Sequence, residues 1–355
     1  MIRFKPGAPR GVRPRLLSRV RSLAVPTAWG AVAVVYRLTC PLAQDDAIGA
    51  RLVSSAVLCT AGTGIVLHIR RRMLREVRHA RRIAEAAQSV LLRPPPPRVD
   101  GLAVAAVHLS ADRGARIGGD LYEVTATEHG VRAVIGDVRG HGLGAVRTGA
   151  AVLGSFREAA HDEPDLAGVL RRLERALDRH LREQAHGERD IGDGATPAAE
   201  EFVTVLLLEI LPDGEVRALN CGHPWPYVLT GAGAEPLAVA EPLPPLGPFP
   251  LPGELPTTAC GRLLPGDTLV LHTDGAEEAR DAEGRFFPLR GVLAEAAREC
   301  PQTPQAVLRT VLAALLRHTA GPPKDDVALL ILRNERCSPS AHQSHGVPRS
   351  ATADR

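Results

Sequence analysis

Five aspartates occupy positions from which a chain could do metal-dependent chemistry. Asp120 closes the run Gly118-Gly119-Asp120, and Asp137 follows the apolar run 131–135 in IGDVRGHG. Asp274 follows TLVLH in HTDG, and Asp325 and Asp326 precede VALLIL. Each stands at the end of a predicted buried strand, and Asp120, Asp137 and Asp274 each have a glycine beside them. A carboxylate at a strand end is held rigidly and can still reach solvent. Several such carboxylates brought together repel one another and become stable only around a cation. Hard oxygen donors without His or Cys favour Mg²⁺ or Mn²⁺ over zinc. The neighbouring glycines let backbone and a hydrated ion approach closely. Taken singly, each aspartate is equally well explained as a turn residue, because Asp-Gly is a common turn pair.

The elements that must position these side chains follow from hydrophobic spacing. Strands are predicted over 102–109, 121–127, 131–136, 202–210, 215–220, 226–230 and 268–273, all short and bounded by Gly, Pro or Asp. Tight connections such as Asp213-Gly214 predict antiparallel pairing. Leu166, Val169, Leu170, Leu173, Leu177 and Leu181 share one apolar helix face. Other helices are predicted over 142–159, 288–299 and 303–318. Antiparallel strands with a few long helices predict an α/β sandwich of sheets covered by helices. The polar, glycine-containing stretch 184–200 reads as a mobile loop, and the polar tail 334–355 as disordered.

The chain of 355 residues is 45% apolar, enough for a sizeable core, and its net charge of +3 is too small for a nucleic-acid binder. Its six cysteines are scattered without a C-x-x-C pair, which argues against a zinc site or a disulfide framework. Residues 1–22 are basic, with Arg3, Lys5, Arg10, Arg13, Arg15, Arg19 and Arg21 and no acidic residue. Apolar stretches at 23–36 and 52–69 flank a loop with Asp45 and Asp46, and Arg70, Arg71, Arg72, Arg75 and Arg78 follow. This pattern predicts a two-span transmembrane hairpin over 23–69 in the cell membrane, with both ends cytoplasmic. A cleaved signal peptide or buried helices of a soluble domain are the competing readings. Residues 70–98 read as a helical linker ending in the stiff Pro94–Pro97 run, and residues 99–333 as the soluble domain.

GGDLYEV, IGDVRGHGLGA, FVTVLLLEI, NCGHPWPYVL, LVLHTDGAEEARDAEGRFF and KDDVALLIL follow one another in this order. Together they resemble the PPM-type (protein phosphatase 2C-like) serine/threonine phosphatases, in the SpoIIE branch, and the N-terminus resembles those of membrane-bound actinobacterial members. The resemblance implies an αββα sandwich of two mostly antiparallel sheets with a two-metal site, Mn²⁺ or Mg²⁺, in a cleft between them. By motif, Asp137 corresponds to the carboxylate bridging both ions, assisted by the Val138 carbonyl, and Asp120 to a ligand of one ion. Asp274 and one of the final pair complete the set, with Asp325 favoured over Asp326. The implied reaction is attack of an activated water on phosphorus with no covalent phosphoenzyme. Arg116 or Arg139 could hold the phosphate, and His141 could protonate the leaving alkoxide, although surface arginines and a hydrogen-bonded loop histidine explain them as well.

The chain departs from the family at Glu123, where an aspartate is usual, and at Cys221, where alanine is usual. Cys221 has no activating base nearby in sequence and reads as a small buried residue. Relatives often act on phosphorylated anti-sigma-factor antagonists, so the implied partner is such a phosphoprotein, and the 70–92 helix could support a homodimer. A nucleotide cyclase is the rival that Gly-Gly-Asp suggests, but its signature continues Glu-Phe where this chain has Leu-Tyr. A membrane signalling module that binds a phosphoprotein without turnover is the other.

Overall fold

The computed structural model describes residues 56–57, 60–75, 92–110, 119–140, 142–191, 201–298 and 303–336. The chain divides into two compact units, Met1–Arg82 and Ile83–Arg355. In the first unit residues 60–75 form a helix that runs on through the arginines at 70–72 and 75. No helix among the described residues is long and apolar enough to cross a membrane. The first expected span, the parts of the second at 52–55 and 58–59, and linker residues 76–91 lie outside the described residues.

The second unit runs β1 Arg98–Val99, β2 Leu102–Leu109, β3 Asp120–Thr127, β4 Gly130–Val138, α1 Leu143–Asp162 and α2 Leu166–Ile191. It continues with β5 Val203–Ile210, β6 Glu215–Cys221, β7 Tyr227–Thr230, β8 Gly233–Pro236, β9 Thr258–Arg262 and β10 Thr268–His272. Helices α3 Asp274–Glu278, α4 Leu289–Ala296 and α5 Pro304–His318 precede the last strand, β11 Val327–Asn334. One sheet has the order β1-β2-β11-β10-β7-β8 and the other β3-β4-β5-β6-β9. The named strands pair antiparallel throughout.

Strand periodicity separates the layers. Along β11, Ala328, Leu330 and Leu332 join the core that includes both sheets, α1 and α2, whereas Val327, Leu329 and Ile331 pack with α4 and α5. Because both faces of β11 are covered, its sequence is apolar without alternation. The leucine face of α2 is buried as its spacing predicts, with Leu170, Leu173 and Leu177 fully enclosed.

The turn between α1 and α2 is tied to the second sheet by a buried ion pair. Arg132 of β4 donates to Glu209 of β5 at 2.7 Å and to the carbonyls of Ala160, Glu163 and Pro164 at 2.6–3.0 Å. These bonds satisfy the guanidinium and the carbonyls that end α1, so the pair is buried without orphaned donors.

Three local expectations are corrected. The stretch 184–191 continues α2 instead of forming a loop, and 192–200 lies outside the described residues. The extension has i,i+4 support: Gln184 meets His180 at 2.6 Å, and the His186 ring meets the Arg182 carbonyl at 2.6 Å. The tail expected to be disordered from Asn334 is held at its start. The Asn334 amide donates to Leu263 O at 2.7 Å, and Arg336 donates to Asp100 at 2.9 Å. Residues 337–355 lie outside the described residues. Finally, the short edge strands β1, β8 and β9 and the five-residue α3 join the expected elements.

Candidate metal centre

The two sheets bring the aspartates to one end of the sandwich. Asp120 opens β3 and is the direct register partner of Asp137 near the end of β4. Asp274 opens α3, separated from the end of β10 by Thr273, and Asp325 and Asp326 lie directly before β11. Since β10 and β11 are antiparallel neighbours, with His272 opposite Leu329, the exit of one and the entry of the other share an edge.

Thr273 joins the sheets at this edge. Its hydroxyl donates to Asp120 Oδ2 at 3.2 Å and accepts the Ala328 N–H at 2.9 Å, and its own N–H donates to Ala328 O at 3.1 Å. Two glycines allow the closeness. A Cβ on Gly119 would enter the van der Waals envelope of the Val138 carbonyl and stand 2.8 Å from Asp137 Oδ1; one on Gly275 would collide with the Asp326 carbonyl. The Val138 carbonyl therefore lies against the Asp120 turn and beside the Asp137 carboxylate, as a hard-ion site with one backbone ligand requires.

The electrostatics match a cluster that is strained without a cation. Burial, then the charges of Asp137 and Asp326, push Asp120 well above the carboxylate range. Burial, then Asp274, Asp325 and Asp326, raise Asp137 to about 7. Asp274 is raised by burial, Glu278 and Asp325. Asp326 acts on Asp120, Asp325 acts on Asp274, and both act on Asp137, so neither member of the pair stands apart from the cluster. Among the described residues no three His, Cys, Asp or Glu side chains stand close enough to close on one ion. The donor chemistry, all carboxylate and carbonyl oxygen, fits Mg²⁺ or Mn²⁺.

A buried histidine supports the cluster from behind. Asn220 clamps the backbone of His223 at 2.8 Å in both directions. His223 Nε2 lies 3.1 Å from the His272 carbonyl, and Nδ1 lies 3.1 Å from the Thr204 hydroxyl. A carbonyl only accepts, so Nε2 carries the proton and Nδ1 accepts from Thr204. Burial, with the nearby His272, lowers His223 to about 3, so the ring stays neutral. Thr204 is the register partner of Asp137, and His272 leads into Thr273 and Asp274. Through this ring the second sheet is held to the first beside the aspartates. His108 of β2 also points to the cluster, its Nε2 3.8 Å from Asp120 Oδ2, and burial lowers it to about 4.

Sequence reasoning did not single out Thr273, Thr204, His223 or His108 as site residues. Only His223 left a signal, the Asn220-to-His223 spacing inside NCGHPWPYVL, which permits the Asn clamp. Glu123 is resolved differently from the family pattern. It lies three residues from Asp120, hence on the other face of β3, where Arg157 of α1 donates to its Oε2 at 2.6 and 2.9 Å. Arg139 is exposed and stacks over Phe202 with 5.0 Å to the ring centroid. Arg116 and His141 lie outside the described residues. The Cys221 thiol is buried and pushed up to about 12, which removes it as a nucleophile. A cavity of about 610 Å³ lies between α1 and α2, lined by Ala150, Gly154, Arg175 and His180 among others, and contains none of the aspartates.

Residues 127–335 match the family described as Stage II sporulation protein E (SpoIIE). The chain belongs to the SpoIIE family. Its second unit is a SpoIIE-type, PP2C-like serine/threonine phosphatase domain. Asp137, Asp274, Asp325 and Asp326 fall inside the matched stretch, and Asp120 lies just before it. Among solved structures, the chain is similar to the RsbU and RsbW domains of a Mycobacterium tuberculosis protein. There the identity is 25%, the TM-score is 0.52, and the match covers 69% of this chain and 64% of that one. It thus spans less than two thirds of that relative. The SiaA-PP2C domain of Pseudomonas aeruginosa shares the fold at 17% identity and a TM-score of 0.53, over 74% of this chain and 97% of that domain.

Proposed function

We propose that this SpoIIE-family chain is a metal-dependent protein phosphatase that hydrolyses phosphoserine or phosphothreonine on a regulatory protein. The observation that carries this reading is the convergence of Asp120, Asp137, Asp274, Asp325 and Asp326 from both sheets, with burial and mutual repulsion raising Asp120, Asp137 and Asp274. These residues, with the Val138 carbonyl, would hold two Mn²⁺ or Mg²⁺ ions. When bound, such ions supply Lewis-acid activation of water and neutralise charge on phosphoryl oxygens.

The chain's own contribution is position. Thr273 fixes one oxygen of Asp120 from the opposite sheet. The neutral His223 holds Thr204 and the His272 carbonyl, and with them the strand ends that carry Asp137 and Asp274. In this reading Arg139, exposed two residues after Asp137 and stacked over Phe202, would supply the guanidinium for a phosphoryl group.

The partner we propose is a phosphorylated anti-sigma-factor antagonist in partner-switching control. The relative that carries RsbU and RsbW domains in one chain supports this choice. Attachment to the cell membrane is part of the same proposal. Its support is the apolar stretch 52–69 followed by arginines, with Val57, Val66 and Leu67 exposed.

The experiment is phosphate release from phosphoserine, phosphothreonine and phosphotyrosine peptides with Mn²⁺, Mg²⁺ or EDTA. Release from the first two with metal and none in EDTA is expected. Release only from phosphotyrosine would refute the substrate class. Mn²⁺ binding without any release would convert the reading to a phosphoprotein-binding module.

A further inference from the structure

His108 belongs to no motif that marks the aspartate cluster, yet the fold delivers it there. It lies on β2 opposite Ala328 of β11, the residue whose N–H is bound by the Thr273 hydroxyl. Its side chain is only 12% exposed, and Nε2 is 3.8 Å from Asp120 Oδ2. The same oxygen accepts the Thr273 hydroxyl at 3.2 Å. Two groups of the first sheet therefore approach one oxygen of a carboxylate anchored in the second. A carboxylate oxygen has two lone pairs and can accept both donors. The gap to Nε2 is about one ångström beyond hydrogen-bond length, a distance that a small turn of either side chain closes.

We propose that His108 is a positioning residue for Asp120: its Nε2–H donates to Oδ2, which orients the carboxylate and leaves Oδ1 to face a divalent cation. The proposal rests on the metal-centre reading above and adds a residue to it. Its physical basis is general. A ligand whose second oxygen is already engaged is held in one orientation, so less ordering remains when the ion binds. Direct ligation is the alternative role, and there Nε2 would be the unprotonated nitrogen.

The test compares the full chain with His108→Phe, which keeps ring volume without a donor, and His108→Gln, whose terminal amide can donate from a similar position. Mn²⁺ affinity is read from the free-ion electron paramagnetic resonance signal during titration, beside thermal unfolding in EDTA. His108→Phe is expected to weaken Mn²⁺ binding by roughly 10–100-fold and His108→Gln by no more than about threefold, with both variants folded without metal. Equal affinity of all three proteins, or Gln as weak as Phe, would overturn the proposal. Should His108→Phe not fold, the wild-type chain labelled with ¹⁵N-histidine decides. Nε2 protonated, its proton moving downfield on adding Mg²⁺, is expected; Nε2 unprotonated would overturn the assignment, as would a direct histidine ¹⁵N coupling to bound Mn²⁺. If the wild-type chain binds no Mn²⁺ at all, the metal-centre reading fails and takes this proposal with it. If it binds and the variants match it, only the role of His108 fails.

Discussion

Thr273 leaves the end of β10 in one sheet and donates its hydroxyl, at 3.2 Å, to Asp120 at the start of β3 in the other. The same oxygen accepts the Ala328 N–H at 2.9 Å, so a single buried hydroxyl joins three strands where the carboxylates meet. Thr273→Val keeps the shape and removes both bonds, leaving the Ala328 N–H buried and unpaired. A loss of about 1–3 kcal/mol in urea unfolding with EDTA is expected, with weaker Mn²⁺ binding. Thr273→Ser should retain most of both. A Val variant as stable as wild type would show that the hydroxyl is not a tie.

Gly119 and Gly275 test how tightly the backbone closes around the site. In each case a Cβ would meet a carbonyl oxygen, of Val138 or Asp326, that belongs to the backbone and cannot swing aside. Gly119→Ala and Gly275→Ala are expected to destabilise the fold by roughly 1–3 kcal/mol and to lower metal affinity together with phosphate release. Gly154→Ala, in α1 with open space around it, is the control and should be neutral or slightly stabilising. Wild-type metal affinity in Gly119→Ala would mean that the Val138 carbonyl is not part of the site.

The pH dependence of the metal-free protein follows from Asp137. Its folded value is raised from an ordinary 3.8 to about 7. Between those values the folded state binds more protons than the unfolded state, so this group makes stability fall as pH rises, and the fall is complete above about 7. His108 and His223, held neutral by burial, act with the opposite sign over the acid part of the range. The difference between Asp137→Asn and wild type isolates the aspartate. In EDTA, Asp137→Asn should be more stabilising at pH 7.5 than at pH 5. In saturating Mn²⁺ the order should reverse, because wild type alone gains from the ion. Denaturant midpoints at the two pH values check this, and a pH-independent difference in EDTA would contradict the proposed charge crowding.

Glu123 separates this chain from the family pattern. Paired with Arg157 on the outer face of β3, it has no path to the cluster. Glu123→Gln should leave Mn²⁺ affinity unchanged and cost less than about 1 kcal/mol, since the pair is partly solvated. Calorimetric metal titration beside Asp120→Asn provides the contrast. A comparable loss of affinity in both variants would place Glu123 in the metal centre.

How much of this was legible in the sequence depends on whether the signal was local. The apolar runs of β4, β5, β10 and β11 and the leucine stripe of α2 declare themselves because burial on two faces, or on one helix face, leaves a period in the residues. Strand β9, mostly solvent-facing over Thr258–Arg262, leaves none. The extension of α2 through 184–191 was hidden by its polar composition, and its start is tied back one turn by the Gln184–His180 and His186–Arg182 pairs. The aspartates were visible at their strand ends, but their meeting was not. It depends on Thr273 and His223 reaching between sheets, and those contacts join residues from about 50 to about 150 positions apart. His108 illustrates the limit. Within LAVAAVHL it looks like one more strand residue, and only the packing of β2 beside β11 turns it toward Asp120.

The central claim is that these aspartates form the metal centre of a phosphatase, and phosphate release from a phosphoserine protein tests it most directly. Wild type should release phosphate in Mn²⁺, cease in EDTA and recover when Mn²⁺ is returned. Asp137→Ala, shown by circular dichroism to be folded, should lose about a thousandfold or more in rate, as expected when a metal-held charge-stabilising group is removed. Release that persists in EDTA, or in folded Asp137→Ala at the wild-type rate, would contradict the account.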